Sequence, residues 1–154
     1  MNEFGASKKQ DQRPLWLLLL RAAGLVESQL EAVLSETGLS LSKFGVLHHL
    51  IQADEALPLS RLAERLSCVK SNVTQVVDRL EVEGLVKRVD DPQDRRSVLA
   101  AVTGEGRRLY EAGNDALAQA EKQLLEGLTE SDRKELAELL RRVSGVGYQV
   151  SGAR

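Results

Sequence analysis

Apolar positions in the first part of the chain fall at helical spacing. From Leu15 they recur at 15, 18/19, 22, 26, 30 and 33/34, the stripe of an amphipathic helix. Gly38 supplies a stop near Thr37. Ser40 or Ser42 can cap a second helix that turns Phe44, Leu47, Leu50 and Ile51 inward. Residues 52–58 (QADEALP) read as a loop. Ser60 is a suitable cap for a short third helix with Leu62, Ala63 and Leu66 on one face. After a break at 67–70, a fourth helix carries Val73, Val76, Val77 and Leu80 on its apolar side, and Gly84 ends it.

The period then changes. Leu85–Val89 and Ser97–Thr103 are rich in β-branched residues and flank a turn containing Asp91-Pro92. A β-hairpin after two short helices joined by a tight turn is a winged helix-turn-helix. Thr103 can cap a long fifth helix reaching about Leu125, with Gly104, Gly106 and Gly113 as locally weak points. Thr129, with Asp132 three residues on, restarts a sixth helix whose apolar face is Leu136, Leu139, Leu140 and Val143. The expected fold class is mainly α with a small β-hairpin wing. Residues 1–14 are expected to form a disordered tail and 145–154 a flexible one. Residues 38–103 form the winged helix, flanked by helices at 15–37 and 104–144.

Composition changes this picture little. Charged residues at 29%, apolar at 42% and aromatics at only 3% suit an ordinary soluble, helix-rich domain. The formal net charge is -2, so bulk charge does not announce a polyanionic partner. Residues 58–103 hold eight Lys/Arg against seven Asp/Glu, a local excess of one positive charge. Cys68 is the only cysteine, which excludes an intrachain disulfide and makes the cytoplasm the expected compartment. The apolar run Pro14–Leu20 is halted by Arg21, too short to span a bilayer, and reads as a buried helix start.

The fourth helix carries the candidate chemistry. Opposite its packing face stand Lys70, Ser71, Asn72, Thr74 and Gln75, with Arg79 further along. Asn and Gln can pair bidentately with adenine, Ser and Thr reach bases or phosphates, and Lys and Arg neutralise phosphate. A solvated polar helix face is the plainer alternative, and the hairpin that follows favours the DNA reading.

Residues 62–109, LAERLSCVKSNVTQVVDRLEVEGLVKRVDDPQDRRSVLAAVTGEGRRL, resemble the winged-helix core of MarR-type bacterial transcriptional regulators. The marks are the RLEVEGLVKR junction, the DDPQDRR wing tip and the VTGEG entry to the next helix, and the resemblance extends over roughly Leu15–Val143. It implies that Arg96 enters the minor groove, where negative potential draws Arg in, and that Asp94 pairs with it and fixes its direction. Arg95, Lys87 and Arg88 are softer phosphate candidates, and Asp90, Asp91 and Pro92 are expected to shape the turn. The resemblance also implies a homodimer through the first and last two helices, a pseudo-palindromic operator, and repression as the usual mode. Many members bind a small aromatic or phenolic effector between the DNA-binding lobe and the dimer helices, and Trp16, Phe44 and Tyr110 could line such a crevice or simply pack.

Other chemistry is thinly supported. His48 and His49 are adjacent, so on a helix they point about 100° apart and cannot chelate one ion from the same face. A zinc site with Cys68 or Glu is therefore less favoured than ordinary core or surface histidines, and no metal or cofactor is expected. Cys68 reads as small packing rather than a redox sensor. No nucleophile–base pair or phosphate-cradling Gly loop points to an enzyme. The rival from another class is a winged helix used for protein docking. Docking would favour large apolar anchors on the recognition face, where this chain has Ser, Asn, Thr, Gln and Arg.

Overall fold

A computed structural model describes residues 13–66, 72–94 and 96–145. In chain order the elements are α1 (Leu15–Glu36), α2 (Leu41–Ala53), β1 (Leu57–Pro58), α3 (Leu59–Arg65), α4 (Val73–Val82), β2 (Val86–Asp90), β3 (Val98–Val102), α5 (Gly104–Leu124) and α6 (Glu130–Ser144). The architecture is the expected winged helix between long flanking helices.

Most helix ends follow the local signals. The α1 helix closes at Gly38 (φ 84°), with Leu39 N–H donating to the Leu34 carbonyl at 3.1 Å. Ser40, not Ser42, caps α2, accepting from Lys43 N–H, while Glu31 of α1 accepts from Leu41 N–H at 2.8 Å. Thr129 and Asp132 form a complete capping box at α6. The cap of α3 differs from expectation. Pro58 occupies that position and Ser60 lies inside the first turn, because proline fits the extended backbone that leads into the helix.

The supposed loop 52–58 is also corrected. Ala53 ends α2 and Leu57–Pro58 is a strand, so the wing belongs to a three-stranded antiparallel sheet in the order β1-β3-β2. Leu57 pairs with Ala100 and Pro58 with Leu99. Pro58 is tolerated because β1 is an edge strand, where proline is admitted. Along β2 and β3 the register runs from Val86↔Val102 to Asp90↔Val98. Asp90 is therefore the last residue of a strand rather than part of the turn.

Leu34, Val46, Leu47, Leu50, Leu62, Val77, Leu80 and Ala100 are the centre of the core, drawn from α1–α4 and β3. Full burial of one such Leu or Val side chain contributes roughly 1.5–3 kcal/mol. Only the last turn of α1 enters this core. The run at its start, expected to be buried, is only half-buried at Leu17–Leu19 and otherwise exposed in the single chain: Leu15 is 71% exposed, Trp16 62% and Leu20 63%. The core lies at the other end of a 22-residue helix, beyond the reach of these side chains. Leu139, Leu140 and Val143 of α6 are likewise exposed, although their helical spacing is as expected.

Two glycines of α5 are positions of close approach rather than weak points. A Cβ on Gly106 would stand 2.1 Å from the Leu85 carbonyl oxygen, and one on Gly113 would crowd Leu39, Leu34 and Phe44. Gly104 meets nothing within 4 Å. Gly106→Ala should therefore lower unfolding free energy by about 1–3 kcal/mol or more through overpacking against main chain. Gly104→Ala should leave stability unchanged or raise it by up to about 1 kcal/mol. Thermal unfolding of the two variants side by side checks both expectations.

Candidate nucleic-acid interface

The α4 helix is seated by Val73, Val77 and Leu80, which are buried. Its far side exposes Thr74, Gln75, Asp78 and Arg79. Asn72 caps the helix, its side-chain oxygen accepting from Gln75 N–H at 3.4 Å. The helix thus begins at Val73, later than the stretch read from Lys70. Asn72 is a cap as well as a base-contact candidate, and Ser71 and Lys70 precede the helix. Lys70, Ser71 and Arg95 of the expected contacts, and Cys68, lie outside the described residues. The single large apolar side chain exposed on α4 is Val82, in its last turn.

The wing tip is built by two aspartates. Asp91 Oδ1 accepts from Gln93 N–H at 2.8 Å and Asp94 Oδ1 accepts from Arg96 N–H at 2.9 Å. Main-chain bonds from Asp91 N–H to Ser97 and from Ser97 N–H to Asp94 close the loop. Arg96 and Asp94 are both exposed. The bond that Asp94 makes is to the Arg96 main chain rather than to its guanidinium. It orients Arg96 through the turn, as an Asx-type cap does.

Arg88, a softer phosphate candidate, is engaged within the chain. Its guanidinium bridges Asp78 at 2.5 Å and Glu81, both on α4, and its N–H donates to Glu81 Oε1 at 3.3 Å. The hydrogen bonds it donates to Asp78 and then Glu81 hold it even more firmly protonated than an ordinary arginine. Lys87, the neighbouring candidate, is exposed. On the other flank of α4, Lys43 of α2 pairs with Glu83 at 2.5 Å. Ser40, Ser42, Lys43, Asn72, Gln75 and Arg79 line a polar cleft of about 200 Å³ between α2 and α4. Sequence reasoning missed Lys43, because its partner is 40 residues away and no local pattern links the two.

A family model described as "MarR family" matches residues 39–98. The chain is 29% identical to an HTH-type transcriptional repressor of Mycobacterium tuberculosis over 133 residues, 86% of this chain and 95% of the relative. A transcriptional regulator of the MarR family from Rhodococcus sp. RHA1 superposes with a TM-score of 0.74 at 30% identity, covering 83% of this chain and 90% of that one. The chain belongs to the MarR family. A MarR variant from E. coli, solved in complex with operator DNA, superposes with a TM-score of 0.75 at 27% identity, covering 84% and 93% of the two chains.

Away from α4 and the wing, this MarR-family chain places its aromatic residues unevenly. Phe44 stacks on Tyr110 with ring centroids 4.9 Å apart, and His48 Nδ1 shares a 2.9 Å hydrogen bond with the Tyr110 hydroxyl. These contacts join α2 to α5. Trp16 stands apart and exposed near the start of α1, so the three aromatics do not form one crevice lining within the chain. Among the described residues no group of three or more His, Cys, Asp or Glu is arranged to hold a metal ion. Among them, too, no helix is long and apolar enough to cross a membrane.

His49 supplies a pH dependence. Burial first, then the nearby His48 and Arg65, hold its pKa below the ordinary 6.5. The folded chain therefore resists a proton that the unfolded chain accepts, and stability rises with pH through this window. The contribution is fully present above about pH 6.5 and is lost as pH falls below it toward the depressed folded value. Thermal midpoints of the native chain should fall between about pH 7 and about pH 5, and less steeply for His49→Gln. Parallel falls in the two proteins would remove His49 as the cause.

Proposed function

We propose that this MarR-family chain is a sequence-specific DNA-binding repressor that acts as a homodimer on a pseudo-palindromic operator. The observation that carries the reading is the outer face of α4, where Thr74, Gln75 and Arg79 are exposed over a buried seat, followed by a wing with Arg96 exposed at its tip. Short polar side chains suit base edges in the major groove, and an arginine held at a narrow tip suits the minor groove. The family membership and the operator-bound relative support the same reading. The repressor direction follows the M. tuberculosis relative. Lys70, Ser71, Asn72 and Arg95 belong to the proposed contact set by their sequence positions, and Asp94 by holding Arg96.

Dimerisation is supported by apolar surface that the single chain leaves uncovered. Val26 and Leu30 of α1, Leu117 and Leu124 of α5, and Leu136 and Leu140 of α6 line an open groove of about 1050 Å³. Large apolar surface of this kind marks a protein interface. Two copies joined there would present two wings and two α4 helices to half-sites about one helical turn apart.

Two measurements test the function. Binding to the DNA upstream of its own gene should weaken steeply with salt, log K falling by about 0.9 per phosphate neutralised for each unit of log[salt]. Arg96→Ala should lower operator affinity by about tenfold, within the ~1–3 kcal/mol worth of one good base contact, with the thermal midpoint nearly unchanged. Failure of the native protein to bind in a salt-dependent way would end the repressor reading. Loss of stability in Arg96→Ala would assign the tip to the fold instead. For the dimer, Leu140→Glu, on the lining of that groove, should shift the sedimentation coefficient toward that of a monomer, since a charge at an apolar interface is left unpaired.

A further inference from the structure

A helix that reads DNA must be aimed, and α4 is held from below by few side chains. Val73, Val77 and Leu80 lie along one buried stripe. A single stripe of contacts fixes depth better than it fixes roll about the helix axis. Side-chain tips stand about 5–6 Å from that axis, so a roll of about 10° moves them by about 1 Å. That displacement is enough to spoil a hydrogen bond with a base edge.

The flanks of α4 carry the acids that resist such a roll. Asp78 and Glu81 are three residues apart and so share one side of the helix, and Thr74, four residues before Asp78, continues that line. Both carboxylates meet the one guanidinium of Arg88. Arg88 is itself pinned. It lies in β2, pairs across the ladder with Ala100, which is fully buried, and its own N–H bonds to Glu81. Its side chain is 29% exposed, against 54% for Asp78 and 39% for Glu81, so the bridge is partly withdrawn from solvent and from salt screening. On the opposite side Lys43–Glu83 ties the end of α4 to α2. Carboxylates on a helix that approaches phosphate cost affinity, which makes three of them in its last turns expensive unless they serve geometry.

We infer that Arg88 is a positioning residue for DNA recognition: by bridging Asp78 and Glu81 it locks the roll of α4 to the wing strand, so that helix and wing address their grooves in register. The inference rests on the DNA-binding reading above. It reverses the expectation from sequence that Arg88 touches phosphate.

The experiment compares binding of the full chain to the upstream DNA and to a scrambled duplex of equal length, across a range of salt. Circular dichroism confirms that each variant is folded at the temperature used. For the native protein a salt-dependent preference for the upstream DNA is expected. Its absence would overturn both the DNA-binding reading and this inference. Arg88→Gln should lower the ratio of operator to scrambled affinity by about fivefold or more, the lower end of what one good base contact discriminates. Its salt slope should match the native slope, whereas a lost phosphate contact would reduce it by about 0.9. Arg88→Lys, which keeps the charge but not the two-pronged bridge, should recover part of the ratio.

The sharper variant is Asp78→Asn combined with Glu81→Gln. It removes two negative charges beside the proposed DNA face, so binding to the scrambled duplex should tighten. Its operator preference should nonetheless fall by a similar factor to that of Arg88→Gln. This variant also keeps side-chain size if Arg88→Gln fails to fold. A native-like preference in the folded variants would overturn the positioning role while leaving the DNA-binding reading intact. A reduced salt slope with unchanged preference in Arg88→Gln would make Arg88 a phosphate contact after all.

Discussion

The structure depends on one close approach, where the first turn of α5 meets the end of α4. Leu85 follows Gly84, whose φ of 75° closes α4 with Leu85 N–H on the Leu80 carbonyl at 2.8 Å. The Leu85 carbonyl then accepts from Thr103 N–H at 3.1 Å, and Thr103 Oγ donates to the Gly84 carbonyl at 2.7 Å. The same hydroxyl oxygen caps α5 by accepting from Gly106 N–H. All of this needs Gly106 to lack a Cβ, because the Leu85 oxygen occupies that space. Four elements meet at the knot: α4, β2, β3 and α5. Sliding α5 relative to α4 would break several main-chain and cap bonds together, so the proposed reading head and the long helix that leads to the uncovered apolar groove behave as one piece.

Acidic residues in the winged helix act through geometry more than through net charge. Asp91 and Asp94 accept main-chain N–H groups and fold the tip that carries Arg96. Asp78, Glu81 and Glu83 engage cations from β2 and α2 at the flanks of α4. A region with almost balanced charge can then serve a polyanion, because Asp78, Glu81, Glu83, Asp91 and Asp94 are engaged by cations of the chain or by its backbone while Arg79 and Arg96 are exposed. Total charge is therefore a poor guide here, and the placement of each partner decides the local field.

The apolar surface of the long helices tells a complementary story. Periodicity predicts the stripes on α1 and α6, and those stripes exist, yet the α6 stripe stays exposed in the single chain and much of the α1 stripe is only half-buried. Hydrophobic spacing reports that a face is to be covered and is silent about what covers it. Trp16 shares only its aromatic residue type with Phe44 and Tyr110. The stack of Phe44 on Tyr110 arises from α2 crossing α5, a packing that never includes the first turns of α1.

What the sequence by itself determined is what short-range chemistry encodes. Ser40 or Ser42, Thr103 and the Thr129–Asp132 pair start helices, Gly38 and Gly84 end them, and the change from a 3.6 to a 2.0 period at Leu85 announces the wing. Each of these signals acts within about four residues, so it can be read without knowing the fold. Tertiary structure alone decided the two-residue strand β1, the need for glycine at Gly106, the pairing of Lys43 with Glu83 and the commitment of Arg88 to α4. These rest on groups brought together by chain crossings, and a side chain such as Arg88 has the same local pattern whether its partner is a phosphate or a carboxylate. Only the position of α4 beside β2 chooses between them.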